Sequence, residues 1–257
     1  MKDFKYIYGP VPSWRLGSSL GIDLLSEKDK ICTFNCTYCQ IGETLFYTTE
    51  RKVFVSTKKV IEEIKALPEI HIDYITFSGR GEPTLAKNLG EAIKEVKKVR
   101  KEPIAVLTNS SLISREDVRK ELIFADLVAC KIDASSNKTF ALINRPDKTM
   151  RFESILDGIK NFRKIYKKKL ALQVMFMEEN KDEAQKIAEL AANINPDEVQ
   201  INTPLRPSRR GPLSKSKIAK IKEYFKNFNV VSVYDAPHIK VESISTGDTL
   251  RRRGKVE

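Results

Sequence analysis

Residues 32–40 read CTFNCTYCQ, three cysteines spaced C-x3-C-x2-C with Tyr38 immediately before the last. The chain has only four cysteines, and the fourth, Cys130, stands far downstream. A disulfide framework wants an even number of thiols, and a structural zinc site wants four ligands. Asn35, Thr37 and Gln40 make this segment a polar loop rather than a core strand. The opening MKDFKYIYGP has no apolar h-region, so a reducing cytoplasmic setting is expected, where clustered thiols hold metal more often than disulfides. The only histidines, His71 and His238, stand outside the H-x-E and P-C-x-x-C patterns of a zinc deaminase. A thiolate-rich loop in such a setting suits an iron–sulfur cluster. Three ligands on a four-iron cube leave one iron open to another molecule, which is a catalytic arrangement rather than an electron wire.

Outward from that loop, β-branched apolar runs alternate with amphipathic charged runs. Strands are expected at 20–25, 74–77, 104–107, 127–132, 172–176 and 199–201, and helices at 59–67, 89–99, 115–124, 152–166, 182–192 and 216–228. In the 152–166 helix, Ile155, Ile159, Phe162 and Ile165 form an apolar stripe suited to covering a sheet. The alternation predicts parallel βαβ units in an α/β fold. Six units are too few for a closed eight-stranded barrel and suit a partial barrel or a doubly wound sheet. Residues 1–257 read as a single domain with its core at about 16–228, and 229–257 read as a C-terminal extension or tail. No stretch approaches the roughly 18 apolar residues of a membrane span.

In either architecture, functional groups gather at the carboxyl ends of the strands. CTFNCTYCQ follows the first expected strand, SGRGEPT the second, TNSS the third, KIDAS the fourth and NTPLRPSRR the sixth, so all face one mouth. The glycines of Gly79-Arg80-Gly81-Glu82-Pro83 allow close backbone approach to a ligand, and a carboxylate there accepts hydrogen bonds from an ammonium. The 46 Lys and Arg against 34 Asp and Glu give a net charge of +12. Such an excess attracts anionic partners and equally describes a Lys-rich solvated surface. Lys94, Lys97, Lys98, Arg100, Lys101 and Lys167–Lys169 precede strands and belong at the barrel's bottom. Arg206, Arg209 and Arg210 follow a strand, so they stand where an anionic substrate would enter or form a solvated loop.

The sequence CTFNCTYC resembles the C-x3-C-x-aromatic-C signature of the radical S-adenosylmethionine (SAM) superfamily, and the likeness extends over about 16–228. YGPVPSWRLGSSLGIDLL, SGRGEPTL and LINRP resemble an uncharacterised branch related to the tRNA wyosine-base synthase and nitrogenase-cofactor enzymes. The resemblance implies a partial (β/α)6 TIM-like barrel, a [4Fe–4S] cluster, and SAM cleaved reductively to a 5′-deoxyadenosyl radical that abstracts hydrogen from a substrate.

It implies that Cys32, Cys36 and Cys39 ligate the cluster, and that Tyr38 lies against the adenine, mostly through its backbone. Gly79, Gly81 and Glu82 would receive the methionine amino group, although Arg80 between the glycines departs from the family's Gly-Gly-Glu pattern. Thr108 and Asn109 would reach the ribose or carboxylate of SAM, or else cap a helix or an Asx turn. Lys131 and Asp133 would bind SAM or substrate, or pair with each other. Asn144, Arg145 and Pro146 recur in relatives or only shape a helix start, Gln173, Met175 and Met177 flank the fifth strand's end, and Cys130 reads as core.

The implied partners are a low-potential flavodoxin or ferredoxin and RNA or another anionic substrate at Arg206, Arg209 and Arg210. Arg251, Arg252 and Arg253 are a second basic group in the tail. The competing functions are activation of a partner protein, action on a small metabolite, and iron–sulfur electron transfer without catalysis.

Overall fold

A computed structural model describes residues 4–26, 29–237 and 239–253. His238 and the side chains of Arg251 and Arg253 lie outside the described residues, so of the tail arginines only Arg252 is placed. In chain order the strands of the main sheet are β1 (Ile7–Ser13), β2 (Gly17–Ile22), then, after a small ladder of β3 (Ile31–Cys32) and β4 (Phe46–Tyr47), β5 (Tyr74–Phe77), β6 (Ile104–Thr108), β7 (Leu127–Lys131), β8 (Lys169–Met175), β9 (Glu198–Asn202) and β10 (Val230–Ser232). The eight strands are ordered β1-β2-β5-β6-β7-β8-β9-β10 and curl into a partial TIM-like barrel. All neighbours run parallel except the β1–β2 hairpin.

The helices that return the chain are α1 (Thr57–Lys65), α2 (Leu89–Val99), α3 (Glu116–Leu122), α4 (Asn137–Ile143), α5 (Phe152–Ile165), α6 (Ala184–Ile194) and α7 (Lys215–Glu223), with α8 (Thr246–Arg253) at the end. Their apolar stripes close over the sheet: Ile155, Ile159 and Phe162 of α5 are buried. Ile165 leaves the stripe and is 51% exposed, because the helix ends there and Tyr166 takes the inward place. Tyr166 stacks on Phe162 at 4.7 Å and donates its hydroxyl to the Ala125 carbonyl at 3.0 Å. None of the described helices is long and apolar enough to cross a membrane.

The lysine clusters sort as expected. At the amino ends of the strands, Lys97 and Lys168 converge on Asp126 at 2.5 and 3.1 Å, and Lys169 pairs with Glu198 at 2.7 Å. The mouth is left to the loops that follow the strands.

The first and last parts of the chain hold three elements the hydrophobic pattern does not announce. β1 pairs antiparallel with β2 at the sheet's edge. Of the described residues beyond 229, β10 extends the sheet, and α8 comes back to β1. There the Gly9 amide donates to Thr249 Oγ1 at 3.1 Å, and the Gly9 carbonyl accepts from the Ile244 amide at 2.6 Å. Arg252 is buried, with Nε 3.3 Å from Asp23 Oδ2, and donates to the Lys5 carbonyl and to Ser26 Oγ. These contacts are polar and made residue by residue, so no apolar period records them.

Burial pushes the Asp23 carboxyl up, and Arg252 pulls it back down. Replacing Arg252 by Met leaves a buried carboxylate with less compensation, expected to cost about 3 kcal/mol. A folded pKa raised above the unfolded one makes stability fall as pH rises through the titration. The deficit of Arg252→Met relative to the parent is therefore smaller at acid pH and grows toward neutrality. Urea unfolding of both proteins across that range checks it; a pH-independent deficit contradicts the pairing.

Candidate active site at the barrel mouth

The site begins with two glycines after β5. Gly79 has φ +148°, and a Cβ on it would lie 2.4 Å from Asp23 Cγ. A Cβ on Gly81 would lie 1.8 Å from the Ile31 carbonyl oxygen. Close approach is therefore what both positions require. It brings β3 against the Gly79–Glu82 loop, where the Ile31 amide donates to the Arg80 carbonyl at 3.2 Å. Cys32, the next residue, is thereby fixed beside the glycines.

Glu82 binds this loop to the next one. Its carboxylate is buried and accepts from the Thr84 amide (3.1 Å), Thr84 Oγ1 (2.7 Å), Thr108 Oγ1 (2.6 Å) and the Asn109 amide (2.6 Å). Burial pushes its pKa up, against the pull of these four donors. The carboxylate is thus engaged within the protein. Ser110 follows with φ +68°, and its hydroxyl accepts from the Lys131 amide at 2.9 Å.

The three clustered thiols each meet one nitrogen donor from a different part of the fold. Asn109 Nδ2 lies 3.6 Å from Cys32 Sγ, Asn144 Nδ2 lies 3.6 Å from Cys36 Sγ, and Lys30 Nζ lies 3.2 Å from Cys39 Sγ. Burial raises the Cys32 thiol to about 12 and the Cys36 thiol to about 11. The loop is held from outside as well. The Asn35 amide donates to the carbonyls of Asn144 and Arg145 at 3.1 and 3.0 Å, and the Thr37 amide to that of Ile143 at 2.9 Å. Cys130 stands apart in the hydrophobic core on β7.

Below the loop lies a buried polar cluster. Tyr38 Oη donates to Asp133 Oδ2 at 2.5 Å, Asn144 Nδ2 donates to the same oxygen at 2.8 Å, and the Met175 amide donates to Oδ1 at 2.8 Å. Lys131 Nζ is 3.8 Å from Asp133 and 4.7 Å from the centre of the Tyr38 ring. Burial and the Asp133 charge raise the Tyr38 phenol well above its ordinary value. Met177 packs against Tyr38 and Ile143, while Gln173 is buried on β8.

Of the sequence-derived candidates, Cys32, Cys36, Cys39, Tyr38, Gly79, Gly81, Glu82, Thr108, Asn109, Lys131 and Asp133 are thus linked at one mouth by these contacts. The arginines stand at its rim, already paired. Arg206 donates to Gln40 Oε1 at 3.2 Å, Arg209 pairs with Glu43, and Arg210 pairs with Glu179 at 2.7 Å. Lys30, Thr33, Ser111 and the backbone role of 143–145 are additions that sequence reading missed. Thr33 Oγ1 donates to Ser111 Oγ at 2.8 Å and accepts from Asn109 Nδ2 at 2.8 Å. The recurring LINRP stretch was the available signal for the backbone role of 143–145; nothing in the pattern marks Lys30.

Among the described residues, no three His, Cys, Asp or Glu side chains converge on the position of a single ion. A four-iron cube binds each thiolate at a different iron, so its ligands need not converge on one point. Three thiols, each with an N–H donor and flanked by a loop too tight for any Cβ, fit such a cluster and a ligand beside it.

Comparison with known proteins agrees with that fit. The model of the Radical SAM superfamily matches residues 30–191. A UPF0026 protein of Methanocaldococcus jannaschii is 42% identical over 233 residues, covering 87% of this chain and 71% of its own length. The GTPase Obg of Brachyspira hyodysenteriae is 35% identical over 96% of this chain, which spans only 38% of that longer protein. Among solved structures, TYW1 with a lysine-pyruvate adduct bound superposes with a TM-score of 0.63 at 20% identity, over 82% of this chain and 74% of its own, a likeness of fold.

The Glu82 network makes a direct prediction. Glu82→Gln exchanges one acceptor oxygen for a donor that faces donors, and leaving a buried group unsatisfied costs about 1–3 kcal/mol. Thermal unfolding is expected at a lower temperature than the parent, whereas Gln40→Ala at the rim leaves it within error.

Proposed function

Because the chain belongs to the radical SAM superfamily, we propose that it is an enzyme that cleaves SAM reductively and abstracts hydrogen from an anionic substrate, with residues 1–257 acting as one unit. The single observation that carries this reading is the hydrogen-bonded seam between Arg80–Glu82 and Ile31–Cys32, which joins a SAM-binding type of loop to the thiol loop. Family membership implies a [4Fe–4S] cluster and SAM as cofactors. When bound, the cluster supplies the electron that splits SAM into methionine and a 5′-deoxyadenosyl radical.

The chain's own residues position and enclose. Cys32, Cys36 and Cys39 hold the cluster. The carbonyls around Gly79–Gly81 receive the methionine ammonium, with Glu82 fixing their orientation from beneath. Asn109 and the Tyr38–Asp133–Lys131 group flank the thiols, with the half-buried Lys131 ammonium 3.8 Å from the buried Asp133 carboxylate. A low-potential flavodoxin or ferredoxin delivers the electron from outside.

Arg206, Arg209 and Arg210 support an anionic substrate. Two of them are held by Glu43 and Glu179; the Arg209–Glu43 pair is exposed, and such a pair is weak, worth about 0.2–1 kcal/mol, while the Arg210–Glu179 pair is half-buried. A phosphate-bearing ligand exchanges such a carboxylate for a stronger bidentate partner. RNA is the macromolecular form of that substrate and a nucleotide the small form.

Anaerobic reconstitution with iron and sulfide, followed by dithionite and SAM, is expected to yield 5′-deoxyadenosine. Cys36→Ala is expected to abolish the product while the protein stays folded by circular dichroism. A fully loaded parent that gives no product contradicts the reading.

The double variant Arg209→Ala, Arg210→Ala is expected to weaken RNA binding at low salt and to flatten its salt dependence. Electrophoretic mobility or anisotropy measurements at several salt concentrations test it. Unchanged binding at every concentration removes RNA from the rim.

A further inference from the structure

Lys30 stands two residues before the first clustered cysteine, and its side chain runs back under the loop. It is 9% exposed, and its Nζ donates to the Gly42 carbonyl at 2.8 Å and to Cys39 Sγ at 3.2 Å. The other charged groups facing the thiols are carboxylates: Glu82 acts on Cys32, and Asp133 acts on Cys36. Lys131 does not touch a thiol; it lies over the Tyr38 ring and near Asp133. Among the described contacts, the cation that touches a thiol is therefore Lys30.

We propose that the buried Lys30 ammonium, with the Asn109 and Asn144 amides as lesser contributors, is a donor set that raises the reduction potential of the bound cluster. The inference rests on the proposed function above, which puts a cluster on Cys32, Cys36 and Cys39. Its physical basis is general. Reduction adds negative charge to the cluster and its sulfurs, and potentials are set by net charge, hydrogen bonds to sulfur and exposure. A cation 3.2 Å from a ligating sulfur in a partly dehydrated loop stabilises the reduced form selectively. The neutral amides at 3.6 Å act in the same direction with less effect. Lys30 is a positioning residue in this sense: it touches a ligand, not the substrate.

The competing role is purely structural. Lys30 ties Gly42 and Cys39 into one turn, and a group of that kind would leave the potential unchanged. A substitution series separates the two. Lys30→Arg keeps donor and charge, Lys30→Gln keeps a donor without charge, and Lys30→Met removes both. Each protein is reconstituted with iron and sulfide, its cluster content is measured, and its midpoint potential is determined by redox titration followed by electron paramagnetic resonance.

The expected order of potential is parent and Lys30→Arg highest, Lys30→Gln lower and Lys30→Met lowest. The step from parent to Lys30→Met is expected to lower the reduced-to-oxidised ratio at a fixed ambient potential about tenfold, which is about 59 mV for a one-electron couple. Loaded Lys30→Gln and Lys30→Met proteins with the parent's potential overturn the proposal. Variants that fold by circular dichroism yet hold no cluster assign Lys30 to retention and also overturn it. A parent that loads no cluster refutes the proposed function itself, a result distinct from either.

Discussion

The mouth of this barrel depends on one buried carboxylate. Glu82 receives four donors from Thr84, Thr108 and Asn109, and so locks the β5 loop to the end of β6. Gly81, the preceding residue, admits the Ile31 backbone at a distance no side chain would allow. Together they fix three segments with almost no freedom: the glycine loop, the strand entering the thiol loop, and Asn109, whose amide reaches Cys32. A charge this well satisfied stabilises by geometry more than by energy, since its desolvation offsets much of what the hydrogen bonds contribute. The consequence is specificity of arrangement, which the proposed radical chemistry requires.

Much of this was legible in the sequence. The βα rhythm predicts the parallel strands within a few residues, because each strand is buried on both faces and each crossover helix carries an apolar stripe. The thiol spacing and the glycine pair point to two loops that the structure sets side by side. What the sequence did not disclose has a common character. β10 and α8 are short or polar, and β1 is interrupted by Gly9-Pro10, where its register with β2 shifts. Lys30 is one lysine among many, and only the fold turns it inward. Glu82 reads as a ligand group from its neighbours, whereas the structure engages it with Thr108 and Asn109 from a strand the sequence puts far away.

The thiol loop itself has little secondary structure and would be mobile if left alone. It is braced on one side by β3 against Arg80 and on the other by the carbonyls of 143–145, which take the amides of Asn35 and Thr37. Phe34 packs edge-on against Phe140 of α4 at 5.3 Å, adding an apolar anchor between the same two segments. The rim arginines add a third brace, since Arg206 and Arg209 reach Gln40 and Glu43 immediately beyond Cys39. The Arg209–Glu43 pair is exposed and the Arg206–Gln40 contact half-buried, so the former is the one a ligand can exchange without disturbing the rest. Rigid support near the thiols and looser support at the rim suit the proposed division of the loop between holding a cofactor and admitting a substrate.

A half-barrel leaves edge strands, and an edge strand invites unwanted pairing. At β1 the protein closes that edge with the same contacts that underpin the site. Glu63 of α1 accepts the amides of Lys5, Tyr6 and Ile7, and α8 with its approach segment takes both backbone groups of Gly9. Arg252 then extends from α8 to Asp23, the residue over which Gly79 is folded. Asp23 also receives the Arg80 amide at 3.4 Å. The chain's last described helix therefore bears, through a single buried ion pair, on the Gly79–Glu82 loop. Disturbing α8 unprotects the sheet and loosens Gly79 together, so edge closure and active-site geometry in this fold are one constraint.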